Sequence, residues 1–248
     1  MNRIDLNCDL GEGAGQDATL MPLITSANIA CGAHAGDTAT MRATVALAQK
    51  HGVAIGAHPG FADREHFGRR ELAIAPSDAA ALVLHQIQAL QETAVELGAA
   101  LRHVKLHGAL YNLAAREAAW ADAIVQAIGT SGLEPVLYVP WGSALVRAAL
   151  SNGLRIAHEV FADRTYQPDG SLTPRSRSDA LIEDADVAVA QVLRMVRAGV
   201  VRATDGTDVP IVADTVCLHG DGPHAVVFAR RLRKELAAAG VAMKAFGA

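Results

Sequence analysis

The sequence predicts an α/β fold, a distorted or incomplete (β/α) barrel, and two observations carry that expectation. Short apolar runs with strand character alternate with amphipathic, helix-like stretches along all 248 residues, without a linker-like segment between them. About seven of the short runs end in polar residues followed by glycine, as parallel strands do when they deliver side chains to one rim. An open, doubly wound sheet is the second choice; it too binds ligands beyond its strand C-termini. Residues 1–248 are expected to form a single domain.

Composition supports a large core: 51% of residues are hydrophobic and 19% charged, which argues against disorder. A formal net charge of −4 gives no footprint for nucleic acid or an anionic membrane. No apolar run is long enough to span a bilayer, and the first residues lack a secretory pattern, so a cytoplasmic protein is expected. Cys8, Cys31 and Cys217 are odd in number and far apart, which suits reduced thiols better than disulfides.

The first strand is predicted over residues 3–9, and the two-residue side-chain period puts Asp5, Asn7 and Asp9 on one face. A glycine-rich turn follows, through Gly11, Gly13 and Gly15. The second strand, over 24–30, leads to Cys31-Gly32-Ala33-His34, and Asp37 or Thr38 caps a helix to Lys50. Residues 53–58 form a short strand ending in His58-Pro59-Gly60. The polar loop 61–72 is long for a barrel connection, which suits a lid or binding loop. Val83, Ile87, Leu90, Ala94 and Leu97 stripe the helix 77–97.

His103-Val104-Lys105-Leu106-His107 then reads as the end of a strand that presents Lys105 and His107 together. A helix over 115–128, a strand over 135–140 and a helix over 143–150 come next. The strand 154–161 ends near Glu159, and a second long polar loop carries Tyr166, Arg175 and Arg177. After a helix over 183–197, residues 200–208 suggest a hairpin around Asp205-Gly206. A strand over 211–218 ends in His219-Gly220-Asp221, and a last helix runs to Ala239.

Asp9 with Glu12, Asn28 with His34, His58, Lys105 with His107, Glu159 with Asp163, and His219 with Asp221 thus fall at strand C-termini, where barrel active sites lie. One such histidine is as easily structural as functional, but several on separate strands are hard to dismiss together. His51 and His85 lie on helices, and His103 and His158 are expected to face away from the interior. Carboxylate with neutral imidazole suits a divalent metal, with Asp9, His34, His58 and His107 as candidate ligands. Lys105 could instead be a buried ion-pair partner of Asp9 or Glu159. The chain has no H-E-x-x-H, no G-x-S-x-G and no P-loop, and the glycine turn alone is too weak to be read as a nucleotide loop.

Eight stretches in order carry a family resemblance: DLNCDLGEG at 5–13, SANIACGAHAGD at 26–37, GAHPGF at 56–61, FGRR at 67–70, HVKLHGALYN at 103–112, EVFADRTY at 159–166, LTPRS at 172–176 and CLHGDGPHA at 217–225. Along nearly its whole length the chain resembles the LamB/YcsF lactam-utilisation family, that of the A subunit of prokaryotic 5-oxoprolinase. The resemblance implies a seven-stranded, TIM-like barrel of the glycoside hydrolase and deacetylase type. It also implies ATP-dependent hydrolysis of 5-oxo-L-proline to L-glutamate with partner B and C subunits, ATP being a cosubstrate.

On that reading Asp9 or Glu159 is the base, Lys105 neutralises developing negative charge, and His107 joins them in catalysis. Asn7, Asn28, Arg69, Tyr111, Asn112, Arg175, His219 and Asp221 become candidates for substrate contact. One departure stands out: the family usually has proline where this chain has Leu106, which is expected to face the helices and leave the site intact. Two other classes stay open, a stand-alone metal-dependent amidase or deacetylase and a non-catalytic substrate-binding subunit.

Overall fold

In the computed structural model, which describes residues 3–220, 222 and 225–247, seven parallel strands close into a barrel. They are β1 (Arg3–Leu10), β2 (Ser26–Ala30), β3 (Ala54–His58), β4 (Leu101–Val104), β5 (Val136–Pro140), β6 (Ile156–Phe161) and β9 (Thr215–His219). β9 pairs with both β6 and β1, and this closes the ring. The open-sheet alternative is thereby excluded. A two-residue strand β10 (Ala242–Met243) pairs with the start of β1, and an antiparallel hairpin of β7 (Val200–Arg202) and β8 (Asp208–Pro210) stands apart. That hairpin is where the Asp205-Gly206 signal placed it, and the Asp205 carboxylate accepts from the Thr207 amide and hydroxyl.

Helices flank the strands: α1 (Asp17–Leu20), α2 (Thr38–His51), α3 (Pro76–Glu96), α4 (Gly108–Arg116), α5 (Ala118–Gly129), α6 (Ala144–Ser151), α7 (Ala185–Ala198) and α8 (Ala225–Ala238). Asp37 caps α2 by accepting from the Thr40 amide, as its sequence position suggested. The α3 stripe of Val83, Ile87, Leu90 and Ala94 is fully buried. Leu6, Cys8 and Leu10 point outward from β1 into this helical layer, leaving Asp5, Asn7 and Asp9 for the interior. No helix among the described residues is long and apolar enough to cross a membrane.

Several boundaries differ from expectation. The stretch after β4 leaves the strand at Lys105, and Gly108 already starts α4, so Tyr111 and Asn112 are helical residues. The helix predicted over 115–128 is two helices, because Glu117 is extended (φ −104, ψ 111) between α4 and α5. β9 begins at Thr215, since Ile211 is still bonded to the hairpin through Gly199 and Asp214 pairs with His158. His103 faces the interior, contrary to expectation. It lies two residues before Lys105, hence on the same side, and its ring stacks on Tyr138 at 4.3 Å.

Leu106 is buried in the main apolar cluster. The flanking amides of Lys105 and His107 bond to Ala57 and Pro59 carbonyls, so the β3 side of this segment is held from either side of Leu106.

The barrel interior is a ladder of polar groups, which must satisfy one another because water is excluded. At its base the Asp5 carboxylate accepts from Thr25 (2.5 Å), Ser26 (2.7 Å), Tyr138 (2.8 Å) and Thr215 (2.6 Å). Burial raises its pKa, and the four hydroxyl donors oppose that rise. Above it lie Asn7, Asn28, His103 and Glu159, and above those Asp9, Lys105 and His58. Gly56 leaves the room that the His103 ring fills: a Cβ there would stand 2.0 Å from His103 Nε2. Gly56→Ala is therefore expected to lower stability by about 1–3 kcal/mol, through displacement of the ring, as measured by urea unfolding.

Candidate active site

The rim is built from the residues that follow the strands. Asp9 is the last inward-facing residue of β1, and the chain turns at Gly11 (φ 73), which brings Glu12 back over the barrel mouth. The turn after β2 supplies His34, β3 ends in His58, and the segment after β4 supplies Lys105 and His107. These groups form two adjoining clusters.

The first is built around Lys105, which is 3% exposed. Its ammonium lies 2.6 Å from Asp9 Oδ1, 3.2 Å from Glu159 Oε1 and 2.9 Å from Cys217 Sγ. The Phe161 ring covers it at 5.5 Å. Burial favours the neutral amine, but Asp9, Cys217 and Glu159 raise the Lys105 pKa well above its ordinary value. Burial likewise opposes ionisation of Asp9, while His58 and Lys105 hold its pKa well below the usual carboxylate range. Asp9, Cys217 and His219 could by their spacing grip a metal, but the Lys105 ammonium already lies against two of the three.

The second site is a cage of His34, His58, His107 and Glu12, with one ligand atom from each within 4.8 Å of the others. Backbone carbonyls fix two of the tautomers. His58 Nδ1 bonds to the Lys105 carbonyl at 2.8 Å, and His107 Nε2 bonds to the Phe67 carbonyl at 2.8 Å. A carbonyl only accepts, so those two nitrogens each carry a proton. The remaining nitrogens, His58 Nε2 and His107 Nδ1, face each other at hydrogen-bond distance, 3.0 Å.

Glu12 Oε1 adds negative charge 3.2 Å from His34 Nε2 and 3.5 Å from His107 Nδ1. Burial, then the neighbouring His58, pushes His34 down to about 3, and burial with His58 and His34 holds His107 well below its ordinary value. Neutral imidazoles with a carboxylate are the ligand forms that a Zn²⁺-like ion takes, so the residues present fit a divalent metal. Compared with the sequence expectation, Glu12 takes the fourth place in the cage. Asp9 lies beside it, its Oδ2 3.4 Å from His58 Nε2 and its Oδ1 spent on Lys105. Glu12 was readable only as a carboxylate at the strand end; its return toward the histidines depends on the Gly11 turn.

Two long loops complete the rim. In loop 61–72, Phe67 is the one described non-glycine residue with positive φ (54°), a strained backbone held by the bond from His107 to its carbonyl. A Cβ on Gly68 would meet His34 at 2.9 Å, and one on Gly108 would meet the Gly68 carbonyl at 2.6 Å, so this loop rests directly on the cage. Arg69 stacks over Phe67 and borders the pocket. In loop 162–184, the buried Arg164 donates to the Thr173 and Ala180 carbonyls, and burial, then Arg175, lowers it to about 10.

The pocket between these loops opens onto Asp9, His58, Lys105 and His107. Arg69, Tyr111, Asn112, Arg164, Arg175 and His219 surround it. His219 Nδ1 is 2.8 Å from Asp163, an acid–imidazole pair whose carboxylate is held low by His219 and Arg175 against the rise that burial would cause.

Of the expected contacts, Arg69, Tyr111, Asn112, Arg175 and His219 border this pocket, whereas Asn7 and Asn28 lie beneath it, bonded to other side chains. Glu159 also lies beneath, against Lys105 and Asn7. Asp221 is outside the described residues. Sequence reasoning missed Arg164 and the interior position of His103. The glycine turn is no phosphate cradle, since the Gly11 amide bonds to the Asp17 carboxylate at 2.9 Å and Glu12 adds a negative charge. The sequence leaves open whether ATP binds this chain or a partner subunit, and the structure gives no support to binding by this chain.

The profile of the LamB/YcsF family matches residues 4–248. A Bordetella pertussis protein, named as the A subunit of 5-oxoprolinase, is 56% identical over 247 residues, covering 98% of each chain. The crystal structure of a lactam utilization protein from Thermus thermophilus superposes with a TM-score of 0.92 at 44% identity, covering 98% of this chain and 100% of that one. A family 4 carbohydrate esterase from Streptomyces lividans, in complex with acetate, shares the fold with a TM-score of 0.50 at 12% identity, over 98% of this chain and 91% of that one.

Protein stripped with a chelator is expected to take up a divalent transition ion when titrated calorimetrically. Glu12→Gln and His107→Ala should each weaken that uptake by at least ~10-fold, with the melting temperature of the metal-free protein little changed for Glu12→Gln.

Proposed function

The chain belongs to the LamB/YcsF family, and from that premise we propose that it is the A component of an ATP-dependent 5-oxoprolinase, opening 5-oxo-L-proline to L-glutamate with partner B and C subunits. The observation that carries this reading is the 56% identity, over nearly full length, to a protein named as the A subunit of 5-oxoprolinase. The geometry adds a reason: the pocket pairs an ionised carboxylate with a buried ammonium, the two groups that hydrolysis of an amide carbonyl needs.

An unstrained lactam is stabilised by amide resonance, and phosphorylation of its oxygen removes that stabilisation. In this account the B and C subunits carry out the phosphorylation with ATP, and the barrel receives the activated ring. Asp9 takes a proton from water as the water oxygen bonds to the ring carbon. The C=N electron pair moves onto the ring nitrogen, and Lys105 stabilises the charge on the added oxygen as its remaining proton passes to that nitrogen. The C–N bond then breaks, and His219, oriented by Asp163, supplies the proton that the nitrogen takes. The acyl phosphate so formed loses phosphate to a further water molecule.

Arg69 or Arg175 holds the substrate carboxylate, with Tyr111 and Asn112 beside it. Glu159 fixes Lys105, and Asn7 and Asn28 fix the two carboxylates from below. A divalent cation held by Glu12, His34, His58 and His107 would supply Lewis acidity toward a carbonyl or phosphoryl oxygen.

A stand-alone metal-dependent amidase is the second reading, favoured by the imidazole cage. Turnover of 5-oxoproline by this chain alone, and mixed with B and C subunits, each with and without ATP, separates the two. Glutamate is expected only from the full mixture with ATP; formation by the chain alone without ATP would overturn the first reading. Asp9→Asn should lower glutamate formation by the complex at least ~100-fold, whereas an unaffected rate would favour a non-catalytic substrate-binding subunit.

A further inference from the structure

The hydrogen bonds inside the barrel have a direction, and His103 stands at one end of them. The Thr215 hydroxyl donates to Asp5 Oδ2 at 2.6 Å, so its oxygen accepts from Asn7 Nδ2 at 2.7 Å. With the Asn7 amide so oriented, its Oδ1 accepts from Asn28 Nδ2 at 2.7 Å, and the same Asn28 nitrogen donates to Asp9 Oδ1 at 2.8 Å. Asn28 Oδ1 must then face a donor. The atom there is His103 Nε2, at 2.8 Å.

From this series of bonds we infer that His103 is a positioning residue: its Nε2–H locks the Asn28 amide in the orientation that donates to Asp9. A reversed amide would set an oxygen against Asn7 Oδ1 and the Asp9 carboxylate, and the His103 Nε2–H adds a contact that only the unreversed amide satisfies, so its loss weakens the hold on that orientation. His103 Nδ1 is buried without a partner, which fits a neutral ring whose single proton is on Nε2. Burial, then the nearby Lys105 charge, lowers the His103 pKa to about 3, so the ring stays neutral. The ring is also confined, stacked on Tyr138 with interplanar angle 10° and seated over Gly56. His103 does not border the pocket, and its effect on the reaction passes through Asn28 and Asp9.

The inference rests on the reading that Asp9 is the base of the proposed hydrolysis, and two measurements keep the two apart. The first is the ring-nitrogen NMR spectrum of the chain alone at neutral pH. The Nε2–H tautomer of His103 is expected, and an Nδ1–H tautomer would overturn the relay whatever lactam the protein hydrolyses. The second is steady-state turnover by the complex. His103→Phe keeps the stacked ring and loses the donor, and should lower kcat by roughly 100-fold with KM nearly unchanged. His103→Gln restores an N–H near the Nε2 position and should recover most of the rate.

Wild-type kcat in His103→Phe, or equal losses in both variants at unchanged melting temperature, would overturn the inference. If His103→Phe does not fold, the tautomer decides alone. A wild-type complex that forms no glutamate counts against the proposed function, and the tautomer still tests the relay.

Discussion

A buried ammonium needs its charge answered, and the architecture of the barrel mouth follows from how Lys105 is answered. Desolvation of a lysine at 3% exposure is compensated only if carboxylates stand within contact distance. Asp9 and Glu159 supply the charge, and Asn7 and Asn28 bond to their oxygens from below. The requirement propagates downward. Each amide oriented by a carboxylate must itself be oriented, and the ladder ends only at Asp5 with its four hydroxyl donors. The polar interior is therefore one connected network rather than a set of separate tolerances. Removing Lys105 would leave two buried carboxylates facing each other, a change of the kind that costs about 3–5 kcal/mol.

The imidazole cage next to Lys105 depends on a different constraint, close packing of backbone. The His34 and His107 rings lie parallel at 3.8 Å. Gly60 and Gly68 let the backbone approach those rings to distances at which a side chain would collide. The strained Phe67 persists because its carbonyl is the acceptor that sets the His107 tautomer. Loop 61–72 thus does more than cover the pocket. It selects which His107 nitrogen faces His58 and Glu12, and it brings Arg69 to the pocket wall.

Much of this was legible in the sequence. The alternation of β and α segments and the polar residues at strand ends gave the barrel and its rim, and the two-residue period put Asp5, Asn7 and Asp9 on one face, which the structure turns inward. The same period, applied to His103, would have placed it inside with Lys105; the error lay in treating it as separate from that face. The break at Glu117 carries no proline or glycine, so no local signal marks it. Glu12 and Arg164 were not assigned to the site because their positions depend on the path of a turn and a long loop, which hydrophobic periodicity does not describe. The tautomers of His58 and His107 are set by carbonyls of residues distant in sequence, and no pattern of residue types announces them.

Water addition and ring opening are thus assigned to Asp9 and Lys105 under the proposed function, and activation by ATP to partner subunits. The most direct measurement is the amount of glutamate formed per ATP consumed when the complex contains Lys105→Met, whose apolar side chain keeps the volume without the charge. ATP consumption is predicted to continue while glutamate formation is lost, so the two become uncoupled. Glutamate formation at the wild-type rate and ratio would contradict this division of labour.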